Sequence, residues 1–332
     1  MEPSFPSKYI STSQEFPLHF HGILRMHKDG KCERFLGNDL IPAGFDPLTG
    51  IESKDVIISF ESNIFVRLYI PKTIIIRNHK LPIVIYYHGG AFVTQSAASS
   101  TYHPTLNLIT KQSNVIIVSV NYRLAPEYPI PIAYEDSWEA VKWVASHSKR
   151  DGPEPWLNER ADFQRVFFAG DSSGANIAHN MAIRVGLNKF NVINLKGVIM
   201  LHPFFGGKDP IGDEIIDKNK EYKMLIDHGW KFAYPSGNGS DDPLFNPAKD
   251  PNISSFGCSK ILLCVAEKDR LRDRGLNYKK VMEKSGWRGK IELIENKGDD
   301  HVFFLYNPSS DNARAIRDRI CSFINIPIRC KA

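Results

Sequence analysis

The sequence predicts an α/β domain built on one mostly parallel sheet with helices on both faces. Two observations carry this reading. Six short apolar runs recur from residue 81 onward, and stretches with helical periodicity separate most of them. Strands that are apolar on both faces and alternate with helices belong to a sheet covered on both sides.

In chain order, residues 1–22 mix Pro and Ser with Phe5, Tyr9, Phe16 and Phe20 and show no period. Disordered tails are poor in aromatics, so an ordered arm is expected. "DVIISFESNIFVRLYIP" (55–71) reads as a hairpin of two β-branched strands around Glu61-Ser62-Asn63. The six runs follow: "LPIVIYYH", "VIIVSVNY", "RVFFAGD", "KGVIMLHP", "KILLCVAEKD" and "KIELIENKG". Between them, Trp138, Val141, Val144 and Ala145 share one helical face, as do Ala178, Met181, Ala182 and Val185. Ala313, Ile316, Ile320, Phe323 and Ile324 mark an amphipathic last helix. The stretch 204–235 breaks the alternation and is richer in charge and Gly. Together with 1–22 it is expected to form a small cap or flap over the sheet's carboxyl edge, on a single domain spanning 1–332.

At 332 residues and 42% hydrophobic, the chain can bury a large core. A net charge of +5 without a basic stripe or a recognisable module argues against nucleic acid as a partner. Five cysteines (Cys32, Cys258, Cys264, Cys321, Cys330) form no C-x-x-C pair, so neither a zinc site nor a disulfide framework is expected. The first residues lack the apolar core of a signal peptide, and no apolar run approaches a membrane span. A soluble cytoplasmic protein without a membrane partner is therefore expected. No nucleotide-binding glycine motif is present, and His19-x-His21 lacks a third ligand at metal spacing. No cofactor and no metal are expected.

"FFAGDSSGAN" (167–176) holds a G-x-S-x-G between an apolar strand and a periodic helix. That is the setting in which a sharp turn exposes a nucleophilic serine, here Ser172, and the turn needs small neighbours. A serine needs a base, and in this arrangement the partners follow in the order Ser, Asp/Glu, His. Of eleven histidines only His301 lies beyond residue 228, in a loop after a strand-like run. The acid belongs on the preceding strand's loop, where Asp269 comes three residues past the apolar run. Glu267 is the reserve, while Asp273 falls within the next helix as a solvated or capping residue. "YYHGGAF" (86–92) ends the first parallel strand with Gly89 and Gly90, whose bare backbone suits an oxyanion hole shared with the Ser173 amide.

These segments resemble the plant class I carboxylesterases, of the hormone-sensitive-lipase-like branch of the α/β-hydrolase fold. The resemblance rests on "HGGAF", "VSVNYRLAPEYPIPIAYEDSWEAVKWVASH", "GDSSGANIAHN", "DDPLFNP", "AEKDRLRDRG" and "HVFFLYNP", and it runs from about residue 20 to the end. It implies Ser172, Asp269 and His301 as triad, Gly89 and Gly90 as oxyanion residues, and a small-molecule ester as substrate. It also implies a place in plant specialised metabolism. Relatives include pathway-specific esterases whose products decarboxylate (alkaloid type), dehydratases, cyclases and gibberellin receptors. The receptors lack the triad histidine, and dehydratases typically carry Thr at the nucleophile position. Ser172 and His301 therefore favour hydrolysis. Ser173 departs from the commoner Ala.

Overall fold

A computed structural model of the protein describes residues 10–11, 18–20, 22–73 and 80–325. Its first strands, β1 (Ile10–Ser11), β2 (Leu18–Phe20), β3 (Leu24–Met26) and β4 (Cys32–Arg34), form a small antiparallel sheet. Of the arm expected at 1–22, the backbone of β1 and β2 and Gly22 are described; the rest, with His21, lies outside the described residues. The short strand β5 (Phe45–Asp46) then leads into the expected hairpin, β6 (Ile51–Ser59) and β7 (Ile64–Pro71). Asn63 closes its turn with φ 51°, a left-handed conformation that Asn tolerates well.

The six apolar runs form β8 (Leu81–Tyr87), β9 (Ile116–Asn121), β10 (Ala161–Asp171), β11 (Leu195–Leu201), β12 (Lys260–Ala266) and β13 (Lys290–Asn296). Among the described residues, nine strands make one sheet in the order β13-β12-β11-β10-β8-β9-β7-β6-β5. The six from β8 to β13 run parallel, and β7, β6 and β5 pair antiparallel at one edge. The pleat sends alternate residues to opposite faces. Ile83, Ile85 and Tyr87 of β8 join one core, whereas Val84 and Tyr86 join the other. Helices Ile132–Ser146, Ser173–Leu187 and Arg272–Lys284 cover the first face, with the expected Trp138, Val141, Ala178 and Met181 buried. Helices His103–Ser113 and Asp311–Asn325 cover the second, with Ala313, Ile316, Ile320, Phe323 and Ile324 buried.

The strand order decides where chemistry can happen. From β8 the chain crosses to β9 on one side, and from β10 it proceeds to β11 on the other. Loops leaving the carboxyl ends of β8 and β10 therefore diverge and open a crevice between them. The interrupting stretch 204–235 contains a 3-10 turn (Gly212–Ile215) and a helix, Asp217–Ala233. Trp230 anchors that helix. It is 1% exposed, stacks on Phe245 at 4.6 Å and 6°, and meets Phe92 edge-on at 5.9 Å. Its indole N–H donates to the Gly239 carbonyl at 3.1 Å. Among the described residues Cys32, Cys258, Cys264 and Cys321 are free thiols, and no helix is long and apolar enough to cross a membrane. Trp230→Ala is expected to lower the unfolding free energy by about 3–5 kcal/mol, measured by urea denaturation.

Candidate active site

Ser172 sits at the end of β10 with φ 50° and ψ −121°, between strand and helix Ser173–Leu187. The turn is as tight as the sequence implies. A Cβ on Gly174 would lie 2.0 Å from the Tyr87 carbonyl oxygen, and one on Gly170 would lie 2.4 Å from the Gly174 backbone. The Ser172 N–H donates to the Leu201 carbonyl at 2.9 Å, and the Ser172 carbonyl accepts from the Phe204 N–H at 3.0 Å.

The structure brings Ser172, His301 and Asp269 together from three loops at the sheet's carboxyl edge. His301 Nε2 is 3.0 Å from Ser172 Oγ, and His301 Nδ1 is 2.8 Å from Asp269 Oδ2. Asp269 Oδ1 accepts from the Leu271 N–H at 2.8 Å, so both oxygens of this buried carboxylate are engaged. The reserve candidates stand apart. Glu267 is exposed and accepts from the Gly298 N–H, while Asp273 accepts from the Asp213 N–H.

Burial pulls the His301 pKa down, but the Asp269 carboxylate, its hydrogen bond, and the charges of Asp171 and Asp300 outweigh this, and the pKa lies above 6.5. Burial likewise raises Asp269, but His301 more than compensates and the carboxyl falls below its ordinary range. Asp171, next to the serine, behaves differently. Burial lifts it to about 6 against the bonds it accepts from Tyr86 (2.7 Å) and Tyr102 (2.9 Å). Residue types alone did not single out this buried Asp-Tyr-Tyr group.

The glycine loop departs from expectation at one position. The Gly89 N–H donates to the Tyr102 hydroxyl at 2.8 Å, which itself donates to Asp171. Its amide is thus engaged, and its lack of a side chain serves clearance, since a Cβ would lie 2.4 Å from Asp171 Oδ2. Gly90 and Ala91 line a cavity of about 300 Å³ that also holds Ser172 and His301. Both have left-handed backbone, with φ 102° and 52°. Ser173 is fully buried, and its hydroxyl accepts a long bond (3.4 Å) from the Phe92 N–H.

One cavity wall comes from helix Asp217–Ala233, which contributes Tyr222, Leu225, Ile226, Gly229 and Phe232. Their spacing of three and four residues is a helical face visible in the sequence, masked there by Glu221 just before it and by Lys223 and Asp227 within it. No Lys or Arg side chain lines the cavity among the described residues. His202, Asp269 and His301 put possible metal-ligating atoms within 4.8 Å of one another. Those atoms are engaged within the protein, because His202 Nδ1 accepts from the Val302 N–H at 2.8 Å and His301 Nδ1 faces Asp269.

A family model described as "alpha/beta hydrolase fold" matches residues 84–305. The chain is 43% identical to probable carboxylesterase 2 of Arabidopsis thaliana over 317 residues, 95% of this chain and 98% of that protein. It is 42% identical over 329 residues to the 2-hydroxyisoflavanone dehydratase of Glycyrrhiza echinata, covering 96% and 99% of the two chains. Its fold superposes on a hyperthermophilic esterase from the archaeon Pyrobaculum calidifontis with a TM-score of 0.69 at 26% identity, covering 82% and 85% of the two chains.

Proposed function

This chain belongs to the α/β-hydrolase fold family, with the plant carboxylesterases, and is a serine carboxylic ester hydrolase; we propose that Ser172 is its nucleophile, His301 its base and Asp269 the group that orients His301. The continuous contact from Ser172 Oγ through His301 to Asp269, at 3.0 and 2.8 Å, carries the assignment. His301 Nε2 takes the hydroxyl proton as Oγ attacks the ester carbonyl, then passes it to the departing alcohol. Water repeats the sequence on the acyl-enzyme and frees the acid. Asp269, held anionic, fixes the proton on Nδ1 and stabilises the imidazolium. The N–H groups of Gly90, Ala91 and Ser173 are the proposed oxyanion donors, with Gly89 excused by its bond to Tyr102.

The substrate we propose is a neutral, largely apolar ester, of the kind made in plant specialised metabolism. The cavity's aliphatic and aromatic walls support this, as does the lack of a lining cation that would pair with a carboxylate. Elimination in the same cavity is the second reading, favoured by the 42% identity to a dehydratase. Ser172, where dehydratases typically carry Thr, weighs towards hydrolysis. We also propose that 204–235 caps a single domain spanning 1–332, because its helix supplies one wall of the cavity.

Three outcomes are expected. Ser172→Ala should reduce hydrolysis of p-nitrophenyl esters by about 10³-fold or more, and retention of wild-type turnover would refute the assignment. The kcat/KM profile should fall on acidification through the pKa of free-enzyme His301, which the neighbouring carboxylates place above 6.5. A profile flat down to pH 6 would contradict this. A Cβ on Gly229 meets open space, and a side chain there would extend into the cavity. Gly229→Phe should therefore raise KM for long acyl esters relative to acetate while leaving Tm unchanged or higher, because mid-helix Gly is unfavourable.

A further inference from the structure

Residues 201–204 bond to the Ser172 turn, to the His301 loop and to the strand that leads to Asp269. On one side they hold the nucleophile turn through Ser172 N–H to Leu201 O (2.9 Å) and Phe204 N–H to Ser172 O (3.0 Å). On the other, the His202 N–H donates to the Cys264 carbonyl (2.9 Å) on β12, the strand that leads to Asp269. The His202 side chain completes the set. Its Nδ1 accepts from the N–H of Val302, the residue after His301, at 2.8 Å. Its ring is fully buried, 5.9 Å from the His301 ring centroid, and is packed edge-on against Phe304.

We propose that His202 is the positioning residue that holds the His301 loop in register with Ser172. The inference rests on the triad assignment above. His202 and Val302 both have left-handed backbone, φ 48° and 47°, so two chain reversals meet at one hydrogen bond. A free loop would not keep the residue after His301 in that conformation. The bond also fixes the tautomer: Nδ1 accepts, so the ring proton sits on Nε2, which meets no partner among the described residues. Only the neutral ring can accept at Nδ1. Burial keeps it neutral, with the His301 charge adding to that and Asp269 opposing it, and the pKa is pushed down to about 3. The tie therefore persists wherever His301 itself titrates.

The test compares His202→Asn, His202→Gln and His202→Ala in ester turnover. Asn carries its carbonyl oxygen near the Nδ1 position and tolerates left-handed backbone. Gln carries the same amide one methylene too far, and Ala has no acceptor. Misplacement near 1 Å costs about 10²-fold in rate, so Ala and Gln should lose about 10–100-fold in kcat with KM within about twofold. Asn should stay within about threefold of wild type. Wild-type kcat in the Ala variant, or equal loss in Asn and Gln, would overturn the proposal. If the Ala chain does not fold, the Asn–Gln contrast decides alone. Ser172→Ala runs alongside: turnover there would sink the triad, whereas a silent Ser172→Ala beside an unaffected His202→Ala sinks only the role of His202.

Discussion

Ser172 holds φ 50° and ψ −121°, a backbone state that costs an L-residue about 1–3 kcal/mol and persists only when its surroundings enforce it. The surroundings here are specific. Helix Ser173–Leu187 approaches β8 so closely that Gly174 has no room for a Cβ against Tyr87. The Ser172 N–H is bonded to the last residue of β11 and its C=O to the segment that follows. The parallel order β8-β10-β11 is what brings these three strand ends side by side. Presentation of the serine side chain to the cavity is thus a property of the whole sheet, expressed at one residue.

The same crowding leaves two buried carboxylates near one imidazole, and their bonding sets them apart. Asp269 is bonded to His301 and a backbone amide, partners that favour the anion, and its pKa falls. Asp171 is bonded to two neutral phenols, which compensate only partly for burial, and its pKa rises to about 6. The first is therefore a fixed charge and the second a variable one, and both contribute to raising His301. Tyr102 adds a mechanical link, since its hydroxyl joins the Gly89 amide to Asp171 and so ties the glycine loop to the Ser172 turn.

The sheet was legible because buried parallel strands must be apolar on both faces, and all six runs became strands. The meeting of Ser172, Asp269 and His301, the proposed triad, was legible because chain order and loop position narrowed the choice at each step. Other features depend on contacts that no local pattern records. The Gly89–Tyr102 bond requires a tyrosine at the mouth of helix His103–Ser113 to reach back across the crevice. The role argued for His202 requires Val302, a hundred residues away, to present its amide there. The face formed by Tyr222, Leu225, Ile226, Gly229 and Phe232 was periodic in the sequence, but intervening charges lowered its contrast.

The proposed reacting groups ride on strand ends, whereas one wall of the cavity rides on a single helix fastened by the Trp230–Phe245 stack. Mutation can therefore alter one without disturbing the other. A lineage built this way can exchange substrates by rewriting a few helical positions while its acid–base machinery is inherited intact. Such modularity gives natural selection a short path from one ester to the next.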